Sequence, residues 1–435
     1  MQVQVISPGI YTYGAMVIGG ILRSAGAGVT LHRGFSVEPS PVVFLSLYST
    51  QHLLDPAIRE FIARARSAGK TCYVGGPVSA APEMVLGELV ADAVVIGEGE
   101  PVVVPLLSRG SPEGIPGTAY TRNGEIIINP PVPPQTLDRP LPLIPDDIGT
   151  QDVRGANVYI ETHRGCLGAC SFCQVPRFFG RTIRSREIDD ILAEVRAFRD
   201  KGARRISISG GTGSLYQYRD GELNPGAFIA LLSGMAEIMG SRNVSAPDIR
   251  VDCISDEILD AIRKYTIGWV FFGIESGSDR ILNQMGKGVT SSQVADAIES
   301  CRQHHLAVAG SFIVGYPTEE PDDYEQTKTF IADHPLDDIF VSIAEPLPST
   351  PLASLALRTP REANPLFVPH TGEYRPLNLT EAEARFFDLS LHGAMCRTRP
   401  LLIAGQAYDT FLEEGRKQGR EIRLVYGILE KYNRK

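Results

Sequence analysis

The chain has 435 residues, 43% of them hydrophobic and 21% charged, which is enough apolar material for a large core and argues against disorder. Its length predicts two or three domains, and the net charge of -9 argues against a general nucleic-acid binder. The N-terminus has no signal-like stretch and no apolar run reaches membrane-spanning length, so the composition predicts a cytoplasmic protein with neither nucleic acid nor membrane as partner.

Val42-Val-Phe-Leu-Ser-Leu47 reads as a short buried parallel strand. Asp55-Pro56 then opens a helix, with Ile58, Phe61, Ile62 and Ala65 at helical spacing. Thr71-Cys-Tyr-Val74 and Ala93-Val-Val-Ile96 read as strands that end in glycine turns, Gly75-Gly76-Pro77 and Gly97-Glu98-Gly99-Glu100. Those glycines serve either turn geometry or the close approach of a cofactor. Residues 1-135 are therefore expected to form an α/β domain, a doubly wound parallel sheet with its ligand at the strand C-termini. The prolines from 130 to 145 predict an extended, unpacked linker over 136-154.

The order of these pieces resembles the flavodoxin-like cobalamin-binding domain that precedes many radical S-adenosylmethionine enzymes. The resemblance implies that Tyr48, Ser49, Thr50, Gln51 and His52 face the lower side of the corrin. It also implies that Gly75, Gly76, Pro77 and Gly97, Glu98, Gly99, Glu100 line the nucleotide tail. The chain has no Asp-x-His-x-x-Gly, so cobalamin is expected to be held without that histidine; His52 is either a lower-face ligand or a surface residue.

Past the linker, 155-350 alternates strands and helices as a partial (β/α)6 barrel. Strands are expected at 157–162, 205–209, 249–252, 269–274, 307–314 and 338–343, and Ile188, Ile191, Leu192, Val195 and Phe198 mark an amphipathic helix. The first strand runs into Arg-Gly-Cys166-Leu-Gly-Ala-Cys170-Ser-Phe172-Cys173. Three thiolates at this spacing suit a [4Fe–4S] cluster with one iron left open. A zinc site using His163 is the alternative, and a disulfide with a spare thiol is a weaker one. Arg181 and Arg184 either position an anion or form a solvated helix entrance. Cys72, Cys253, Cys301 and Cys396 are expected to be small buried hydrophobes.

Cys-x-x-x-Cys-x-x-Cys with an aromatic before the last cysteine resembles the radical S-adenosylmethionine (radical SAM) superfamily. That resemblance implies S-adenosylmethionine on the open iron, with Phe172, Gly210, Gly211, Thr212, Arg250, Asp252, Glu275, Ile313, Val314 and Gly315 as its contacts. Thr212 stands where the family has Glu in its Gly-Gly-Glu segment. Read from the residues alone, Glu275 is equally well a salt-bridging barrel residue.

Together the two resemblances imply a cobalamin-dependent radical SAM methyltransferase, close to archaeal, methanogen-type members. It would use a [4Fe–4S] cluster, S-adenosylmethionine and cobalamin, and would take its electron from ferredoxin or flavodoxin. The expected reaction abstracts hydrogen from an unactivated sp3 carbon and transfers methyl from methylcobalamin. The expected substrate is a protein or peptide, with glutamine or arginine of methyl-coenzyme M reductase as the leading target. No catalytic residue beyond the cluster ligands is assigned. Alternatives are a cobalamin-dependent ring-forming enzyme without methyl transfer and a non-enzymatic cobalamin or iron–sulfur sensor. A methylthiotransferase would need its own cysteine set in the N-terminal domain, where only Cys72 lies. Residues 351-435 are expected to be largely helical, with Thr380 and Glu383 as a capping box, and to close the barrel over the substrate site.

Overall fold

The computed structural model describes residues 1–209, 211–401 and 405–433. The first unit runs β1 (Gln2–Ile6), α1 (Tyr13–Ser24), β2 (Gly28–His32), β3 (Val42–Ser46), α2 (Pro56–Ser67), β4 (Thr71–Gly75), α3 (Pro82–Leu89), β5 (Ala93–Val95), α4 (Val103–Arg109), β6 (Thr118–Arg122) and β7 (Glu125–Asn129). Its sheet has the order β2-β1-β3-β4-β5-β6-β7, with the first five strands parallel. This is the flavodoxin-like order, in which the chain reverses direction across the sheet between β1 and β3, and a crevice opens there at the strand C-termini. Strand β3 is nearly all buried, as a strand covered by helices on both faces must be. Asp55 caps α2 through the Ala57 amide, with Pro56 in the first turn. The hairpin β6–β7 pairs antiparallel at one edge, so the sheet is mixed rather than wholly parallel.

The expected unpacked linker is extended but docked. Leu137 is buried, the Leu143 amide donates to the Met16 carbonyl at 2.8 Å, and the Arg139 side chain is sealed inside the molecule. Proline fixes an extended backbone; it does not decide whether that backbone packs.

The second unit runs β8 (Val158–Glu161), β9 (His163–Arg164), α5 (Val175–Phe178), β10 (Arg184–Ser185), α6 (Ile188–Asp200), β11 (Ile206–Ser209), α7 (Pro225–Met239), β12 (Val244–Ser245), β13 (Asp248–Ile249), α8 (Asp256–Tyr265), β14 (Trp269–Glu275), α9 (Asp279–Gln284), α10 (Ser291–Gln303), β15 (Ala307–Val314), α11 (Pro321–Asp333) and β16 (Asp338–Ile343). Its strands form two parallel sheets, β12-β11-β8 and β13-β14-β15-β16, and a short antiparallel pair, β10-β9. The expected strand at 249–252 is therefore corrected: two short strands, one in each sheet, replace it, and residues 250–253 turn away. Pro247 lies between them without an amide hydrogen, and its carbonyl accepts from the Phe271 amide.

Among the described residues three α-helices follow, α12 (Pro351–Arg358), α13 (Glu381–Cys396) and α14 (Gly405–Asn433). The capping box at Thr380 and Glu383 is present at the start of α13. Helix α13 packs on β16, while Val425, Ile428 and Leu429 of α14 enter the core beneath the first sheet. Among the described residues no helix is long and apolar enough to cross a membrane.

Candidate active site

A cleft of about 1170 Å³, measured out to its open mouth, lies at the crevice between the C-termini of β1 and β3. The first unit supplies Thr12, Tyr13, Ser46 and Tyr48, the turns Gly75–Pro77 and Gly97–Glu100, and an apolar wall that includes Ile18. The second unit closes it with Glu161, Arg164, Phe178, Phe179 and Ser209. Its enclosed part, about 310 Å³, lies at the low end of the usual range for small-molecule sites, and the rest is open to solvent. Of the expected lower-face loop, Tyr48 reaches the cleft; Ser49, Thr50, Gln51 and His52 are not among its walls. His52 instead stacks edge-on against Tyr48 at 4.6 Å. Gly76 answers a backbone demand: its φ is +94° and a Cβ there would stand 2.6 Å from the Leu47 carbonyl oxygen. Gly75 has no such demand, and a Cβ on it would meet only Val95.

Glu98 and Glu100 line the cleft and also pair with charges of the second unit. Arg164 donates to both, and its Nε reaches Glu161 at 3.0 Å. Arg184 grips Glu98 at 2.5 Å, so the anion it positions is a carboxylate of this chain. Arg139 from the linker bonds Glu161 at 2.7 Å and the Tyr13 hydroxyl at 2.9 Å. Tyr13 donates in turn to Glu194, which Arg186 holds at 2.8 Å. Four arginines and four glutamates thus meet at the domain boundary, and such pairing is what makes buried charge tolerable. Burial pushes the Glu161 carboxyl up, but Arg164 and Arg139 pull it further down, to about 2.

Two residues beyond Arg164 the cysteine loop begins. Cys166, Cys170 and Cys173 are all free thiols. A Cβ on Gly168 would lie 3.5 Å from the sulfurs of both Cys166 and Cys170 and 2.9 Å from Arg250 Nη1, so both thiols and this guanidinium crowd the same face of the loop. Among the described residues no three His, Cys, Asp or Glu side chains converge tightly enough for one metal ion. Sulfurs sharing a zinc must each lie about 2.3 Å from it. Three thiols carried by one loop are the donor set that an iron–sulfur cluster takes, and the Nδ1 of buried His163 is hydrogen-bonded to the Thr162 hydroxyl. Burial raises the Cys170 and Cys173 thiols; Lys287 and Arg250 favour the Cys170 thiolate, and the Val175 amide and Arg177 that of Cys173. Arg177 and Arg181 brace the loop by donating to the carbonyls of Cys170, Cys173 and Leu167.

Around this loop the structure gathers several of the expected S-adenosylmethionine contacts. Phe172 and Ile313 join one apolar cluster with Tyr316, Met285 and Leu352. Gly211 sits at φ +85°, where a Cβ would meet Val175, just past Cys173. Thr212 is buried at the start of the turn that follows, and Gly210 lies outside the described residues. Arg250 pairs through two bonds with Asp252 and reaches the Lys287 carbonyl. Glu275 occupies a bulge at φ +70°, pairs with Lys287 at 2.9 Å and accepts from the Ser311 hydroxyl at 3.3 Å. Val314 faces the core and Gly315 abuts Ala382 of α13, so neither presents a side-chain position to the loop. Lys287, Arg164, Arg139, Tyr13 and Glu194 were not legible as site residues; only the glycines flanking Lys287 set it apart in the sequence.

Known proteins give this arrangement a family. Residues 160–331 match the model described as "Radical SAM superfamily". A protein of Methanocaldococcus jannaschii, provisionally named a methylthiotransferase, is 51% identical over 99% of this chain and 96% of its own length. The chain belongs to the radical SAM superfamily. A tRNA-2-methylthio-N(6)-dimethylallyladenosine synthase of Paracidovorax citrulli is 31% identical, over 50% of this chain and 49% of that protein. In fold the chain resembles the radical S-adenosylmethionine methyltransferase TsrM of Kitasatospora setae, solved with cobalamin and a [4Fe-4S] cluster bound. That match has TM-score 0.65 and 17% identity, over 82% of this chain and 74% of TsrM. It also resembles the cobalamin-dependent radical enzyme OxsB, with TM-score 0.61 and 18% identity, over 81% of this chain and 54% of OxsB.

Proposed function

We propose that this protein is a cobalamin-dependent radical SAM methyltransferase acting on an sp3 carbon. The observation that carries the reading is the shared wall. The cleft at the β1/β3 crevice opens directly onto Glu161, Arg164 and Ser209, at the C-terminal ends of β8 and β11 and beside the cysteine loop. The three thiols would hold a [4Fe–4S] cluster, which would supply the electron for cleavage of S-adenosylmethionine to methionine and a 5′-deoxyadenosyl radical. The cleft would hold cobalamin as the source of the methyl group. Phe172 and Ile313 provide apolar contact beside the cluster loop, while Arg250, Asp252 and Lys287 place charge near the thiols.

A protein or peptide is the proposed substrate, with glutamine or arginine of methyl-coenzyme M reductase as its target. The full-length relative in Methanocaldococcus jannaschii supports a role in methanogens. That relative's name raises methylthio transfer as a second reading. Against it, Cys72 is the one cysteine of the first unit, wholly buried in β4, with its thiol pushed by burial up to about 12. It cannot serve a second cluster from there.

Cysteine-to-alanine change at Cys166, Cys170 or Cys173 is expected to abolish formation of 5′-deoxyadenosine in anaerobically reconstituted protein. Cobalamin added to the apoprotein is expected to bind one per chain with a changed visible spectrum. Persistent 5′-deoxyadenosine formation in the variants, or no cobalamin binding, contradicts the proposal.

A further inference from the structure

Arg164 occupies a position that the proposed chemistry does not by itself call for. It is 7% exposed and makes three carboxylate contacts. Two of these, to Glu98 and Glu100, reach the Gly97–Glu100 turn of the cleft, more than sixty residues away in sequence. The third, to Glu161, ties it to the end of the first barrel strand. Its guanidinium also lies over the Phe179 ring at 5.2 Å, and both side chains line the cleft.

The next residue passes this anchoring on to the thiols. Gly165 is held at φ +99°, and a Cβ on it would sit 2.3 Å from the Thr182 carbonyl oxygen. Cys166 then donates its amide to Gly180 at 3.3 Å. From Glu98 to the first sulfur there is therefore an unbroken run of ionic, steric and backbone contacts with little room to flex. Arginine suits this task because its planar fork engages two carboxylates at once, which a lysine ammonium on a flexible stem does not do with the same geometry.

We infer that Arg164 is a positioning residue that couples occupation of the cleft to the geometry of the cysteine loop, by clasping Glu98 and Glu100 on one side and setting the start of the loop on the other. A ligand that settles against the Gly97–Glu100 turn fixes the carboxylates, the carboxylates fix Arg164, and Arg164 fixes Cys166. Coupling of this kind is reciprocal: a formed cluster loop holds the turn in the conformation that accepts the ligand. The inference rests on the reading that cobalamin fills the cleft.

The test uses full-length protein with its cluster reconstituted, and hydroxocobalamin as the probe. Hydrogen exchange of backbone amides 163–174 and the electron paramagnetic resonance spectrum of the reduced cluster are compared with and without the probe. In the native protein, cobalamin is expected to slow exchange in the loop by about fivefold or more, the low end of ordinary coupling, and to sharpen the cluster spectrum. Arg164→Gln is expected to bind cobalamin more weakly, so it is compared at a probe concentration that saturates it by absorbance, and there the loop no longer responds. Arg164→Lys keeps the charge without the fork and provides a second variant should Arg164→Gln fail to fold; its response is expected to be intermediate. A loop that responds equally in native protein and both variants overturns the inference and leaves the cofactor reading standing. A native loop that ignores bound cobalamin overturns it as well. Native protein that binds no cobalamin removes the cofactor reading, and the inference with it.

Discussion

Gly165 joins the ion network to the cluster loop and leaves no room for a side chain. At φ +99° an alanine is strained, and its Cβ would overlap the Thr182 carbonyl. Gly165→Ala is expected to cost about 2 kcal/mol or more and to lower the iron retained after reconstitution. Urea unfolding and iron analysis check this. Glu161 makes the network sensitive to acid. Its carboxyl is held down at about 2, so its pairing stabilises the fold fully above the ordinary glutamate range near pH 4.3 and is lost as the pH falls from there toward 2. Glu161→Gln is expected to flatten the pH dependence of stability across that window, as measured by unfolding at stepped pH; an unchanged slope contradicts the assignment. The cysteines were legible in the sequence because their chemistry is written in local spacing. Arg164 was not, because its partners Glu98 and Glu100 lie in another domain and nothing in the residues beside it points to them.

At the scale of elements, the buried parallel strands β3, β4 and β5, the capped helices α2 and α13, and the strands β14 to β16 follow from apolar runs, caps and turn residues. What the sequence hid was pairing. Pro247 divides one strand position between two sheets, and the proline-rich linker lies pressed on α1. There Gly20 lets the Leu141 carbonyl come so near that a Cβ would stand 2.2 Å from it. Gly20→Ala is expected to cost about 1–3 kcal/mol and to free the linker. Limited proteolysis then finds new cut sites within 136–147; an unaltered digestion pattern contradicts the packing described.

At the scale of the molecule, α14 joins the two units. It begins against α13 and ends in the core of the first sheet, with Lys431 paired to Glu88 at 2.6 Å. Leu429→Ala is expected to cost about 2–5 kcal/mol and to loosen β4 as well as the helix, as read by hydrogen exchange. The two-domain order and the cysteine loop were legible because each is carried by contiguous residues. The docking of one domain on the other was not, because it depends on charges and apolar faces that meet only after both have folded. That docking is what sets the cleft against the cysteine loop, and methyl transfer to carbon is the function proposed for it.

The most direct test incubates the reconstituted protein, with and without cobalamin, with peptides from a methanogen lacking this gene and S-adenosylmethionine deuterated in its methyl group. The account predicts deuterated methyl on a peptide carbon, formed only with cobalamin and lost with Cys166→Ala; label in a methylthio group, or a modified product without label, contradicts it.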